Sequence, residues 1–319
     1  MKKYNIVALG ECLIDFCVSS PAGSAVIELN GNSGGAPANV LAAAAKLGLS
    51  TAFVGKVGND VFGDHLACDL SKCGIDISCL KRATQPTTLA IVSLNEKGDR
   101  DFAFYRDRTA DVMLSPEDLD SDVIQNAEIF HFGSVSMTAE PSKSATLAAV
   151  NMAKNSGALI SYDPNLRPLL WNSLSEAKDC ILSAMELCDA VKVSSEEAEF
   201  LTDIADPAQS GTYLMQKYSF KLLAVTLAER GCILFTPQCS VVQKGFEVNC
   251  VDSTGAGDAF WGNMLAKLCE RGSAADNISE SELNDLAVWA NAAGALAVTK
   301  PGAIPAMPDR ESTEALCKK

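Results

Sequence analysis

The sequence predicts an α/β protein: a mostly parallel sheet sandwiched by helices, with a small β-sheet lid beside it. Three observations predict it. Short apolar runs alternate with helix-like runs along nearly the whole chain, the pattern of a sheet covered on both faces. Two stretches break that rhythm and read as antiparallel hairpins. Apolar residues make up 48% of the 319, which supports one large core. We therefore expect a single domain over residues 1–319, with lid segments near 12–34 and 86–110.

The elements follow in order. "NIVALGE" (5–11) is strand-like, and "APANVLAAAAKLG" (36–48) is a helix closed by Gly48. "TAFVGKVG" (51–58) is again a strand, and "DVFGDHLACDLSKCG" (60–74) a helix ending at Gly74. "AEIFHFG" (127–133), "GALISYDPN" (157–165), "DAVKVS" (189–194) and "KLLAVTLAERG" (221–231) each end an apolar run at a polar or glycine-rich loop. The hairpins are "CLIDFCVSSPAGSAVIELNGNSGG" (12–35) and "TTLAIVSLNEKGDRDFAFYRD" (87–107), the second turning at "NEKGDR". "FEVNCVD" (246–252) reads as a late strand, followed by "AFWGNMLAKLCERG" (259–272) as a helix. In such sheets ligands bind beyond the carboxyl ends of the strands. Asp163, Asn165, Lys192, Thr226 and Asp252 all fall there.

Composition excludes several classes of function. The formal net charge of −14 argues against nucleic acid or anionic membrane as a partner. No run approaches the roughly 18 apolar residues of a membrane span, and the N-terminus reads as a first strand rather than a signal peptide. Twelve cysteines form no C-x-x-C pair, and His65 and His131 are the only histidines, so a zinc site has few candidate ligands. Most cysteines, Cys250 among them, sit in apolar runs, as expected of reduced, buried thiols in a cytoplasmic protein. His131 reads as a satisfied strand-end histidine.

The segment "DSTGAGDAFWGN" (252–263) is where chemistry concentrates. Its "STGAG" sits where a strand turns into a helix, so free N–H groups and the positive end of the macrodipole converge on an anion. Gly255, Ala256 and Gly257 let a ligand approach the backbone closely. Asp258 falls in the first helical turn. By residue type it is either a helix-start residue or a base for an attacking hydroxyl. G-x-x-x-x-G-K-[ST] and G-x-G-x-x-G are both absent, against a P-loop NTPase and a dinucleotide enzyme.

These residues resemble the ribokinase-like (PfkB) carbohydrate kinases. "DSTGAGDAFWGN" is similar to their C-terminal signature, and "GGAPANVLAAAAKLG" with "GKVGNDVFGDHL" to their N-terminal one, over 200 residues apart and in the expected order. "GECLIDF", "GGAPANV", "DFAFYRDRTAD", "DPNLRPLLW" and "KVSSEEAEFL" look most like bacterial fructokinases. The resemblance implies a kinase phosphorylating a primary hydroxyl of a ketose, with ATP, Mg²⁺ and K⁺. It implies Asp258 as general base, with Gly255, Ala256 and Gly257 as the anion hole. Asp15, Gly34, Gly35, Asn39, Phe104, Arg106 and Arg167 would bind sugar, Arg167 reaching either sugar or phosphate. Lys192, Ser194, Glu197, Thr226, Ala228, Gly231 and Asn291 would surround the nucleotide, with Glu197 organising Mg²⁺ through water. Lys192 reads equally well as a solvated strand-end lysine. Asp252, Thr254, Ala297, Lys300 and Gly302 would form a monovalent-cation site. Ser194 and Ala228 depart from the Asn and Gly common in the family. A sugar acid, 2-keto-3-deoxygluconate, is the rival substrate, with Arg106 and Arg167 on its carboxylate; a riboside comes third, and a non-catalytic sugar-binding homologue is the other class. The small lid sheet suggests a homodimer.

Overall fold

The structure is a computed structural model that describes residues 2–20, 25–94, 100–273 and 275–318. The chain runs β1 (Tyr4–Leu9), β2 (Leu13–Val18), β3 (Leu29–Gly34), α1 (Ala36–Lys46), β4 (Thr51–Gly58), α2 (Val61–Lys72), β5 (Leu80–Ala83), β6 (Leu89–Leu94) and β7 (Arg100–Tyr105). It continues through α3 (Ser121–Gln125), β8 (Ala127–Gly133), α4 (Ser142–Asn155), β9 (Leu159–Asp163), α5 (Leu174–Met185), β10 (Ala190–Ser194), α6 (Ser195–Thr202) and α7 (Pro207–Lys217). It closes with β11 (Leu222–Thr226), β12 (Cys232–Phe235), β13 (Ser240–Gln243), α8 (Ala256–Glu270), α9 (Glu280–Ala297) and α10 (Arg310–Cys317).

Among the described residues, nine strands form one sheet in the order β13-β12-β11-β10-β9-β8-β1-β4-β5. All its pairings are parallel except β11–β12 and β12–β13. Both faces are covered. Along β1, Ile6 and Ala8 join the core under α1, α8 and α9, while Val7 and Leu9 join the core under α4 and α5. A strand buried on both sides needs apolar residues at every position, which is why "NIVAL" shows no alternation. His131 is buried in β8. Its Nδ1 meets Ser161 Oγ at 2.9 Å, and burial pushes its pKa down to about 4.

The second sheet has the order β3-β2-β6-β7. Its two hairpins are antiparallel, as expected, and β2 joins β6 in parallel register to make one layer. Here alternation is strict. Leu13, Asp15 and Cys17 face a cavity, while Phe16 turns to the other side and packs edge-on against Phe62 of α2, centroids 5.7 Å apart. The "NEKGDR" turn lies, apart from Arg100, outside the described residues.

Two expectations need correction. "FEVNCVD" is not a strand. Its apolar residues Phe246, Val248 and Cys250 line a cavity, and the N–H groups of Val251 and Asp252 go to the carbonyl of Val298 at the end of α9. The alternation serves a cavity wall rather than a sheet, so "STGAG" joins an irregular segment to α8. Cys250 is accordingly exposed, whereas Cys12, Cys79, Cys188, Cys232 and Cys269 are buried; all twelve thiols are free. Among the described residues, no helix is long and apolar enough to cross a membrane.

Candidate active site

The site is built on the start of α8. Gly255 is the N-cap with φ 77°, and no side chain caps the helix. A Cβ at this position would also stand 2.8 Å from Ala303 Cβ, so glycine is required twice over. The first-turn N–H groups are thus left facing outward with the positive end of the helix. Asp258 is the third helical residue and is buried. Its Oδ2 accepts a 2.8 Å hydrogen bond from Asn39 Nδ2 of α1. Burial first, and then the neighbouring Asp163, push its pKa up to about 6, against the pull of Asn39, Lys192 and Arg167.

Lys192 and Asp163 form a buried ion pair of 2.6 Å beside this turn. Lys192 Nζ lies 3.1 Å from where a Cβ on Gly257 would stand, so the ammonium runs alongside the helix start. It is not a solvated strand-end lysine.

Two cavities meet here. The first, about 270 Å³, is walled by Asp15, Asn39, Phe104, Arg167, Lys192 and Asp258 among others. Burial pushes Asp15 up to about 6, with Arg167 opposing. Its Oδ2 stands 2.1 Å from the place of a Cβ on Gly34, so any larger residue there would displace the carboxylate. The second cavity, about 650 Å³, is walled by Thr226, Ala228, Gly231, Phe260 and Asn291 together with the 246–250 segment. Ser253, Ala256 and Gly257 line both cavities, so the start of α8 is the partition between them.

The family described as pfkB family carbohydrate kinase matches residues 3–310. This chain belongs to that family. It is 43% identical to the probable fructokinase-4 of Arabidopsis thaliana, covering 99% of this chain and 98% of that protein. It is 44% identical to fructokinase-2 of Oryza sativa subsp. japonica over 95% of this chain and 90% of that one. Among solved structures, the Xylella fastidiosa fructokinase with bound ATP superposes with a TM-score of 0.91 at 32% identity, covering 99% and 98% of the two chains. A double mutant of the Vibrio cholerae O395 fructokinase, bound to fructose, ADP and potassium ion, gives 0.87 at 34% identity and 99% of both chains.

In this pfkB-family kinase the remaining expected residues divide. Gly35 lines the first cavity. Arg106 does not. Its side chain is 5% exposed, its Nε is bonded to Asp111 at 2.7 Å, and its other nitrogens donate to Thr138 Oγ1 and the Val135 carbonyl. The expected lid ligand is therefore spent on tying the lid to the body. Arg167 does face the cavity, steadied by a 2.7 Å bond to Asn165 Oδ1. Ser194 caps α6 and forms a capping box with Glu197, which also accepts the N–H of Leu166 at 2.7 Å. Both lie in a hollow beside Lys192 and Arg167, and burial holds the Glu197 carboxyl above its ordinary pKa. Ala228 has φ 52°, which explains why glycine suits this position better. Asp252 closes two loops at once, accepting from Thr254 N and Oγ1 on one oxygen and from Gly302 N on the other. Ala297 is buried in α9, and Lys300 is exposed.

The sequence reading missed Glu11, Asn32 and the pairing of Asp163 with Lys192. Asn32 was findable: it stands opposite Asp15 in the β2–β3 register and so shares its face. Glu11 carried only the weak signal of a carboxylate two residues past an apolar strand.

Proposed function

We propose that this kinase transfers the γ-phosphoryl group of ATP to the primary hydroxyl of D-fructose, giving fructose 6-phosphate. The observation that carries the reading is the shared partition: two cavities meet at an uncapped helix start, with one buried carboxylate just beyond it. The sugar fits the first cavity, where Asp15, Asn39 and the close backbone of Gly34 and Gly35 suit polyol hydroxyls. The nucleotide fits the larger second cavity. Asp258 takes the hydroxyl proton as oxygen attacks phosphorus, and the N–H groups from 255 to 258 receive the developing charge. Lys192 and Arg167 add positive charge on the sugar side of the partition.

One carboxylate with free lone pairs suits a divalent ion held mostly by water and phosphate. Glu197 would hold Mg²⁺ in that way, and the ion supplies charge neutralisation at the phosphates. The Asp252 loops, with Thr254 and Gly302, would hold K⁺ beside the partition.

A sugar acid is disfavoured. Arg106 is committed to Asp111, which leaves Arg167 against the carboxylates of Glu11, Asp15 and Asp258 in the cavity wall. We further read the chain as one catalytic domain with a lid. Exposed Val26, Ile27 and Leu29 at the lid's end favour a homodimer there. Twelve free thiols fit a reducing cytoplasm.

The test is ADP release with Mg·ATP and K⁺ across fructose, 2-keto-3-deoxygluconate, ribose, glucose and inosine. Fructose is expected to lead in kcat/KM by a large factor. A lead for the keto-deoxy acid would overturn the substrate, and silence across the panel would overturn the kinase reading.

A further inference from the structure

Glu11 has no part in the reaction as written, yet its placement is unusual. It stands two residues past the end of the first strand of the large sheet, is 4% exposed and reaches the wall of the sugar cavity. Its Oε1 accepts the N–H of Ala36 at 3.0 Å. Its Oε2 is buried with no hydrogen-bond partner. Its backbone carbonyl lies 2.3 Å from where a Cβ on residue 35 would stand, so Gly35 crosses it in contact with φ 112°.

Ala36 is the first residue of α1, and α1 has no side-chain cap of its own. A helix start normally recruits a nearby oxygen for its free N–H groups. Here the oxygen comes from 25 residues upstream and from another element. The same turn carries Asn39, whose N–H closes on the Gly35 carbonyl at 2.9 Å and whose side chain holds Asp258. Burial pushes the Glu11 carboxyl up to about 7, against the pull of backbone N–H groups and of the positive charge of Arg106. Arg106 follows β7, and Thr88, just before β6, donates to Asp111. The roots of two lid strands therefore converge beside Glu11.

We infer that Glu11 is a positioning residue: its carboxylate fixes the first turn of α1 beside the Arg106–Asp111 tie, so that Asn39 keeps Asp258 aligned. This rests on Asp258 being the base. A shift of the turn by a fraction of an ångström loosens the Asn39 bond, and misplacement on that scale is enough to cost rate.

The test compares Glu11→Gln, which keeps the reach and an acceptor oxygen, with Glu11→Asp, which keeps the charge and is one methylene short. Glu11→Gln is expected to hold kcat within about threefold, and Glu11→Asp to lose about 10- to 100-fold. Since Asn39 holds the Asp258 pKa down, the acid limb of kcat should move to higher pH in Glu11→Asp alone. A loss of equal size at every pH, or a Glu11→Gln enzyme as damaged as Glu11→Asp, overturns the inference. If Glu11→Asp does not fold, Ala36→Pro takes its place. It deletes the N–H at a helix position proline tolerates, and an unmoved limb there overturns the inference equally. Amide exchange over residues 34–40 needs no substrate: faster exchange in Glu11→Asp than in Glu11→Gln is expected, and equal protection overturns the tie. An absence of sugar turnover in the unaltered protein sinks the reading of the site instead, and leaves the exchange comparison to decide the tie.

Discussion

The two cavities that meet at α8 are built on different principles. The first is small, and charged side chains crowd its wall, several of them buried and with displaced pKa values. The second has more than twice the volume and is walled largely by backbone, small residues and apolar surface. If the first cavity holds the sugar and the second the nucleotide, as proposed, the first depends on groups whose position and charge matter individually and the second on shape. Substitutions on the sugar side should therefore cost far more than those on the nucleotide side.

Asp258→Asn tests the contrast most severely. Turnover should fall about 10²- to 10⁴-fold, measured as steady-state kcat for fructose. Stability should move the other way. The folded carboxyl, at about 6, binds its proton more tightly than the unfolded chain does. Its charged form therefore weighs against the fold as pH rises from about 4 through 6. At pH 7 the neutral amide should stabilise the protein by up to about 3 kcal/mol, visible as a raised Tm. An unchanged Tm with full activity would mean the carboxylate is a solvated helix-start residue. In the unaltered enzyme the same value sets an acid limb of kcat/KM near pH 6.

Lys192→Met leaves Asp163 buried and unpaired, at a cost of about 3–5 kcal/mol in chemical denaturation. Gly34→Ala drives a methyl into the Asp15 carboxylate, so KM for fructose should rise about tenfold or more while KM for ATP holds. A matching rise in both would show that the cavities do not act separately. On the nucleotide side, Asn291→Ala removes long contacts of 3.4 and 3.5 Å to the carbonyls of Gln243 and Lys244 and a contact with the Cys232 thiol. KM for ATP should change less than about threefold, since one weak polar contact is worth little. Ala228→Gly should be harmless or better, gaining about 1 kcal/mol by relieving a left-handed backbone. A large loss of ATP affinity there would break the comparison.

The same division decides how much was legible in the sequence. The doubly buried strands and the glycine-closed helices follow from local pattern, and so does the lid, whose alternation separates Asp15 from Phe16. "GAGD" was legible because a helix start has a fixed geometry that small residues advertise. "FEVNCVD" was not, because alternation reports two distinct faces and says nothing of whether a neighbouring strand is there to pair. Arg106 misled for a related reason. Residue type shows that an arginine needs a partner, and only the fold shows that Asp111 answers before any substrate can. Glu11 was silent because its partner is a backbone N–H, which every residue carries.

The partition of Ser253, Ala256 and Gly257 has a practical corollary. A wall these residues share, with no large side chain among them, puts the proposed sugar and nucleotide sites within reach of a short chemical tether. A single molecule joining a ketose to an adenosine phosphate would engage both at once. Its affinity would gain from the effective concentration of the second arm rather than from any new contact. A compound of that kind would act as a ruler for the gap the phosphoryl group crosses.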